Sequence, residues 1–208
     1  MRFEALFLII GYLIYGGLAA IALWGAFCVI LVWRRVTATR FRNEAEQDAF
    51  LDEIDSQLSA GNIDEAIAVC ADDRRAMPQL ALYAIENRDQ GGDRVERQLA
   101  ERFQLDVLAD IEHRLSWVST VIKSAPMVGL LGTVIGMMGA FANLSTGAKV
   151  DTGKMAEDIM FALITTACGL AIAVPLLLCR ESINSRIRKM EDLIAAGLSR
   201  LLESLRLR

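Results

Sequence analysis

The chain has 208 residues, 54% of them hydrophobic, a formal charge of -4 and a positive mean hydropathy. That is too apolar for an ordinary soluble domain and fits a membrane protein with a substantial polar part. Mild acidity, with no basic cluster away from the apolar flanks, argues against nucleic acid as a partner.

Residues 5–33 form the first apolar run, unbroken by charge. Its length exceeds a signal-peptide core, so it is expected to be a retained transmembrane anchor. Arg34, Arg35, Arg40 and Arg42 follow at once. By the positive-inside rule this end is cytoplasmic, and the N-terminus is outside. Residues 34–123 are then a cytoplasmic helical region. Short amphipathic helices are expected at 43–59 and 63–73, parted by Gly61-Asn62. Pro78 opens a third, and Gly91-Gly92 closes it. No strand pattern appears in the sequence.

Residues 124–144 carry no charge and suffice to cross ~30 Å of hydrocarbon. Small residues recur on one face at Ala125, Gly129, Gly132, Gly136 and Ala140. Each glycine in a helix interior loses about 1 kcal/mol against alanine, so the stripe predicts close backbone approach within a bilayer. The same face continues backwards through Leu115, Ile111 and Leu108. One long helix from near residue 93 to 144, about 75 Å, is the economical reading. Pro126 removes one backbone bond, to Ile122, and is expected to bend it.

A polar loop on the outer side is expected over 145–158, with Asp151, Glu157 and Asp158 as a solvated rim. Residues 159–179 form the third span and return the chain to the cytoplasm at Arg180, Arg186, Arg188 and Lys189. Ala162, Thr166, Gly169 and Ala173 are expected on its packed face, with Thr165 adjacent and Pro175 near the cytoplasmic end. Residues 180–208 continue as a helical tail with a stripe from Ile183 to Leu205.

No Asp, Glu, Lys, Arg or His lies in any of the three spans. An ion path through lipid normally needs an ionisable group, so a titrating carboxylate would have to come from another chain. This chain can offer the hydroxyls of Thr133, Thr166 and Thr165. A membrane threonine commonly bonds its own helix backbone and does nothing more, so pattern alone leaves both roles open. His113 stands alone between Glu112 and Arg114, and Cys28, Cys70, Cys168 and Cys179 have no metal or disulfide spacing. No metal, cofactor or enzymatic motif is read.

The pair of stretches APMVGLLGTVIGMMGAF and ALITTACGLAIAVPLLL resembles the MotA/TolQ/ExbB proton-channel proteins, and most of all their three-span ExbB/TolQ branch. The likeness is close over residues 115–188 and extends to layout elsewhere. It implies an all-α membrane protein with three transmembrane helices, two of them extended into a cytoplasmic bundle. It also implies a homo-oligomeric, pentameric ring in the bacterial inner membrane. That ring would surround two single-span ExbD/TolR-type subunits whose intramembrane aspartate carries the proton. By motif match Thr133 and Thr166 are pore-lining, and Pro126 and Pro175 are family prolines. Phe161 departs from the pattern, standing where relatives often have glutamate. The competing reading is a non-conducting homo-oligomeric scaffold.

Overall fold

The computed structural model describes residues 2–145 and 152–206, with side chains from 9 to 142 and from 152 to 205. The chain is all-helical there, and no strand occurs among the described residues. In order come α1 (Arg2–Thr39), α2 (Glu44–Ala60), α3 (Ile63–Ala71), α4 (Ala76–Glu86), a 3₁₀ turn (Arg88–Gln90), α5 (Gly92–Arg102), a π-helical turn (Phe103–Leu108), α6 (Ala109–Ser145) and α7 (Thr152–Arg206). Three of the helical stretches are long and apolar enough to cross a membrane. Two compact units share these helices: residues 2–30 with 115–145 and 152–181, and 31–114 with 182–206.

The first unit holds the apolar parts of α1, α6 and α7. Its interior is built from Ile14, Leu18 and Cys28 of α1, Val118 and Ala125 of α6, and Ala162, Ala173 and Leu176 of α7. Gly25 lets α1 approach both neighbours, since a Cβ there would stand 2.7 Å from Leu176 and 2.8 Å from Val121. Large side chains such as Leu23, Met127, Leu130 and Leu163 point outward, as a bilayer or another copy of the chain requires.

The second unit is the polar half. Its interior combines Val32, Leu51, Ile54, Met77, Leu80, Ile85 and Leu99 with Ile183, Met190 and Leu201 of α7. Gly61, at φ 82°, ends α2 in a left-handed turn: its own N–H donates to the Leu58 carbonyl and Asn62 N–H to Gln57. Gly197 lets α2 lie close to α7, where Gln47 Nε2 donates to the Leu193 carbonyl at 2.6 Å. Arg200 then pairs with Asp52 and Asp55, and Ser204 Oγ donates to Asp55 at 2.8 Å.

Two expectations are corrected. The helix after residue 92 is continuous but not uniformly α, because residues 103–108 form a π turn. Inward positions explain it: Val95, Leu99 and Phe103 step by four, then Leu108 follows after five, before Ile111 and Leu115. A π turn absorbs that extra residue and keeps both sides of the step on the inner face. The loop expected over 145–158 is also shorter. α7 already starts at Thr152, since Lys154, Met155, Ala156 and Glu157 are good helix formers with no breaker among them. Residues 146–151, Asp151 included, lie outside the described residues.

Between α1 and α2 the chain turns at residues 40–43, and a clasp holds the turn. Arg42 N–H donates to Glu46 at 3.0 Å, while Arg75 pairs with Glu46 and Asp73 and lies 3.7 Å over the Phe41 ring. Hydrogen bonds from Arg75 and from Arg42 N–H hold the Glu46 carboxyl below its ordinary value of 4.5. Burial pulls Asp73 upward, but bonds from the Arg75 side chain and backbone outweigh it, leaving a net lowering. Carboxyls lowered on folding stabilise the fold in full above their ordinary values and lose that contribution as pH falls through the lowered ones. Acidification from pH 6 to pH 3 is therefore expected to lower the amide protection factors of α2 and α4, each rate being referred to the intrinsic exchange rate at that pH. Arg75→Ala should cost on the order of 1 kcal/mol, the scale of an exposed ion pair with a cation–π contact, and should flatten that acid dependence. Hydrogen-exchange mass spectrometry at both pH values checks this; an unchanged acid response in Arg75→Ala would refute the clasp.

Candidate transmembrane site

The site is built where α6 and α7 pack through glycine. A Cβ at Gly129 would stand 2.7 Å from the Thr165 carbonyl oxygen, and one at Gly136 would stand 2.8 Å from that of Asp158. At Gly169 it would stand 2.6 Å from the Ala125 carbonyl and 3.2 Å from Pro126 Cα. At Gly132 the added carbon would collide with the Thr165 side chain. The two backbones thus run in contact along four glycines. Pro126 lies inside α6 and Pro175 inside α7, and neither ends its helix.

This contact sorts the three threonines. Thr165 is wholly buried, filling the space over Gly132, and its hydroxyl donates to the Ala162 carbonyl at 2.8 Å. The inner face of α7 therefore runs Ala162, Thr165, Gly169, Ala173 and Leu176. This corrects the face expected from sequence, which centred on Thr166. Steps of four then three through Thr166 and of three then four through Thr165 suit a helix equally. The missing side chain at Gly132, on the other helix, decides between them.

Thr166 is half-buried at the edge, and its hydroxyl crosses to α6, donating to the Gly129 carbonyl at 3.2 Å. Thr133, also half-buried, donates to the Leu130 carbonyl at 2.6 Å. The two hydroxyls are thus anchored on successive carbonyls of one strip of α6 backbone. Each spends its proton on the backbone, and its oxygen keeps acceptor capacity for a group arriving from outside the protomer.

Two neighbours have packing that the sequence did not show. Asp158 is half-buried rather than fully solvated, with its carboxylate against Gly139, where a Cβ would stand 3.3 Å from Oδ2. Glu157 beside it is exposed. Phe161 packs on α1, edge-on to Tyr15 at 5.4 Å and against Gly11. The glycine opposite each was the available signal, though sequence does not say which glycine faces which residue. Among the described residues no group of His, Cys, Asp or Glu is placed to hold a metal ion.

The family model for MotA/TolQ/ExbB proton channel proteins matches residues 72–196, more than half of the chain and both helices of this site. The chain belongs to that family. Its relatives place it on the ExbB/TolQ branch. The ExbB-like 2 protein of Helicobacter pylori is 32% identical over 119 residues, covering 57% of this chain and 71% of the relative. The TolQ protein of the Tol-Pal system of Haemophilus influenzae is 40% identical over 86 residues, covering 41% of this chain and 37% of that protein. The ExbB homolog of Methanothermobacter thermautotrophicus is 41% identical over 87 residues, covering 42% of this chain but only 30% of the relative. This ExbB/TolQ-type chain is thus a multi-pass membrane protein of a proton-channel family, not of an enzyme family.

Proposed function

We propose that this chain is the ring-forming subunit of a proton-driven motor in the bacterial inner membrane. In this reading it couples proton flow to mechanical work on an envelope partner, together with a single-span ExbD/TolR-type subunit. Five copies surround two of the partner helices, with N-termini periplasmic and C-termini cytoplasmic. The arginine flanks at residues 34–42 and 180–188 support that orientation.

The observation that carries the reading is the Thr133–Thr166 pair. Two half-buried hydroxyls sit on adjacent α6 carbonyls, in spans that hold no Asp, Glu, Lys, Arg or His of their own. A protonated carboxyl on a partner helix is a donor, and two oxygens with spare acceptor capacity suit it. An ionised carboxylate would instead need those hydroxyls to turn and donate, giving up their carbonyls. The strip therefore favours the neutral, proton-loaded acid, which is the form able to face lipid. Each charge moved through 100 mV releases ~2.3 kcal/mol, enough to bias a rotation step. In the same reading Thr165 is a packing residue, and Gly129, Gly132, Gly136 and Gly169 set the helix contact.

Proton flux tests the proposal. Liposomes holding the chain with its single-span partner are expected to acidify under an imposed potential, and those holding either protein alone are not. No flux with the partner would defeat the motor reading and leave the scaffold, and equal flux without the partner would defeat a proton carried by the partner.

A further inference from the structure

α1 leaves its apolar run at Trp33, and the fold does not treat the cations near that point alike. Arg35 is answered within the chain: its Nε stands 3.0 Å from Asp110, which also takes Arg114 at 3.0 Å. Arg34 and Arg186 have no carboxylate within ion-pair distance among the described residues, and neither do Arg188 and Lys189. Arg186 lies instead over the Trp33 ring, 4.2 Å from its centroid. Stacking fixes the plane of the guanidinium and leaves its edge donors open. The Trp33 indole N–H has no acceptor among the described residues either. Trp33 is 37% exposed, and Leu31, one turn before Arg34 on the same face of α1, is 38% exposed. Open donors and open apolar surface thus adjoin.

We propose that this cluster holds the phosphate of an anionic glycerophospholipid, with Arg34, Arg186 and the Trp33 indole N–H as donors and Leu31 against the start of its acyl chains. The level in the membrane selects the ligand. The residues just after the apolar run of a spanning helix lie where lipid phosphodiesters lie. Side chains lean towards the N-terminal end of their helix, which for Arg34 of α1 and Arg186 of α7 is the side of the apolar run. Both guanidiniums therefore snorkel back towards the headgroups. Cations without a carboxylate of their own favour a lipid of net negative charge over a zwitterionic one. A free phosphate ion would leave Leu31 uncovered. An acidic face of a partner or of a second copy would have to displace the headgroups already at that level.

Phosphatidylglycerol and phosphatidylcholine compete for the full chain in detergent, and native mass spectrometry counts the lipids that stay bound. Phosphatidylglycerol is expected to be retained about tenfold over phosphatidylcholine. Arg34→Gln with Arg186→Gln should remove that preference. Arg74→Gln with Arg94→Gln, at exposed positions of the same unit and with the same loss of charge, should keep it. Trp33→Leu retains every charge but should lower the preference, since Arg186 loses its platform and the phosphate an indole donor. Equal retention of both lipids by wild type overturns the proposal. So does a preference unmoved by Trp33→Leu, one lost equally in the Arg74 and Arg94 control, or displacement of the lipid by millimolar inorganic phosphate. A fall in oligomer mass in the Arg34→Gln, Arg186→Gln protein with its lipid preference intact also overturns it, since a second copy then answers those cations.

Discussion

Gly132→Leu is expected to abolish a stable ring and to unfold the membrane unit at a markedly lower temperature. The side chain opposite is Thr165, which has no room to yield: it is wholly buried and hydrogen-bonded to its own helix. Inserting a methylene-rich side chain into a packed contact costs about 1–3 kcal/mol or more. The backbones cannot part at this one point without also parting at Gly129, Gly136 and Gly169, where carbonyl oxygens already sit at contact distance. Helix association in a bilayer has little hydrophobic drive to offset that loss. Gly16→Leu is the control, because nothing lies within 4 Å of a Cβ there within the protomer. Size-exclusion mass and thermal unfolding in detergent check the comparison. If Gly132→Leu matched wild type in both, the glycine contact would be irrelevant to stability.

How much of this was legible beforehand follows from which signals are local. Short helices α2 and α3 and their Gly61 stop could be read because a helix and its cap are decided within a few residues. The inner face of α6 was legible too: five small residues spaced by three and four leave no competing face. The inner face of α7 was not, because Thr165 and Thr166 satisfy the same periodicity and only the partner helix discriminates between them. The π turn shows a third case. Its signal, five residues from Phe103 to Leu108, was present in the sequence, but Leu105 and Val107 offer apolar alternatives that keep a regular α register plausible. Leu105 is in fact 64% exposed. Periodicity locates faces; contacts across helices choose between near-equal ones.

Replacing Thr133 and Thr166 together by valine is expected to leave assembly intact and to lower partner-dependent proton flux at least about tenfold. Valine keeps nearly the same shape and removes the hydroxyl, so the change isolates hydrogen bonding. The stability at stake is small. Thr133 bonds within its own helix, and only the Thr166 bond to Gly129 joins two helices. Interhelical bonds of that kind average roughly 0.6 kcal/mol in a membrane, far less than the overpacking at Gly132. The rate at stake is larger: losing 1.4 kcal/mol of stabilisation for a crossing acid slows its passage tenfold. Thr→Ser at both positions restores the acceptor oxygen and should recover much of the flux. Thr165→Val separates the two roles, since that hydroxyl is sealed against Gly132 and bonded to Ala162. It should leave flux near wild type while shifting thermal stability slightly. Flux through liposomes and particle mass are the two readouts. Full flux in the Thr133→Val, Thr166→Val protein would remove the hydroxyls from the path and favour a non-conducting scaffold. Lost assembly in the same protein would instead make both hydroxyls structural, and the strip of α6 carbonyls that anchors them a packing feature like the glycines beside it.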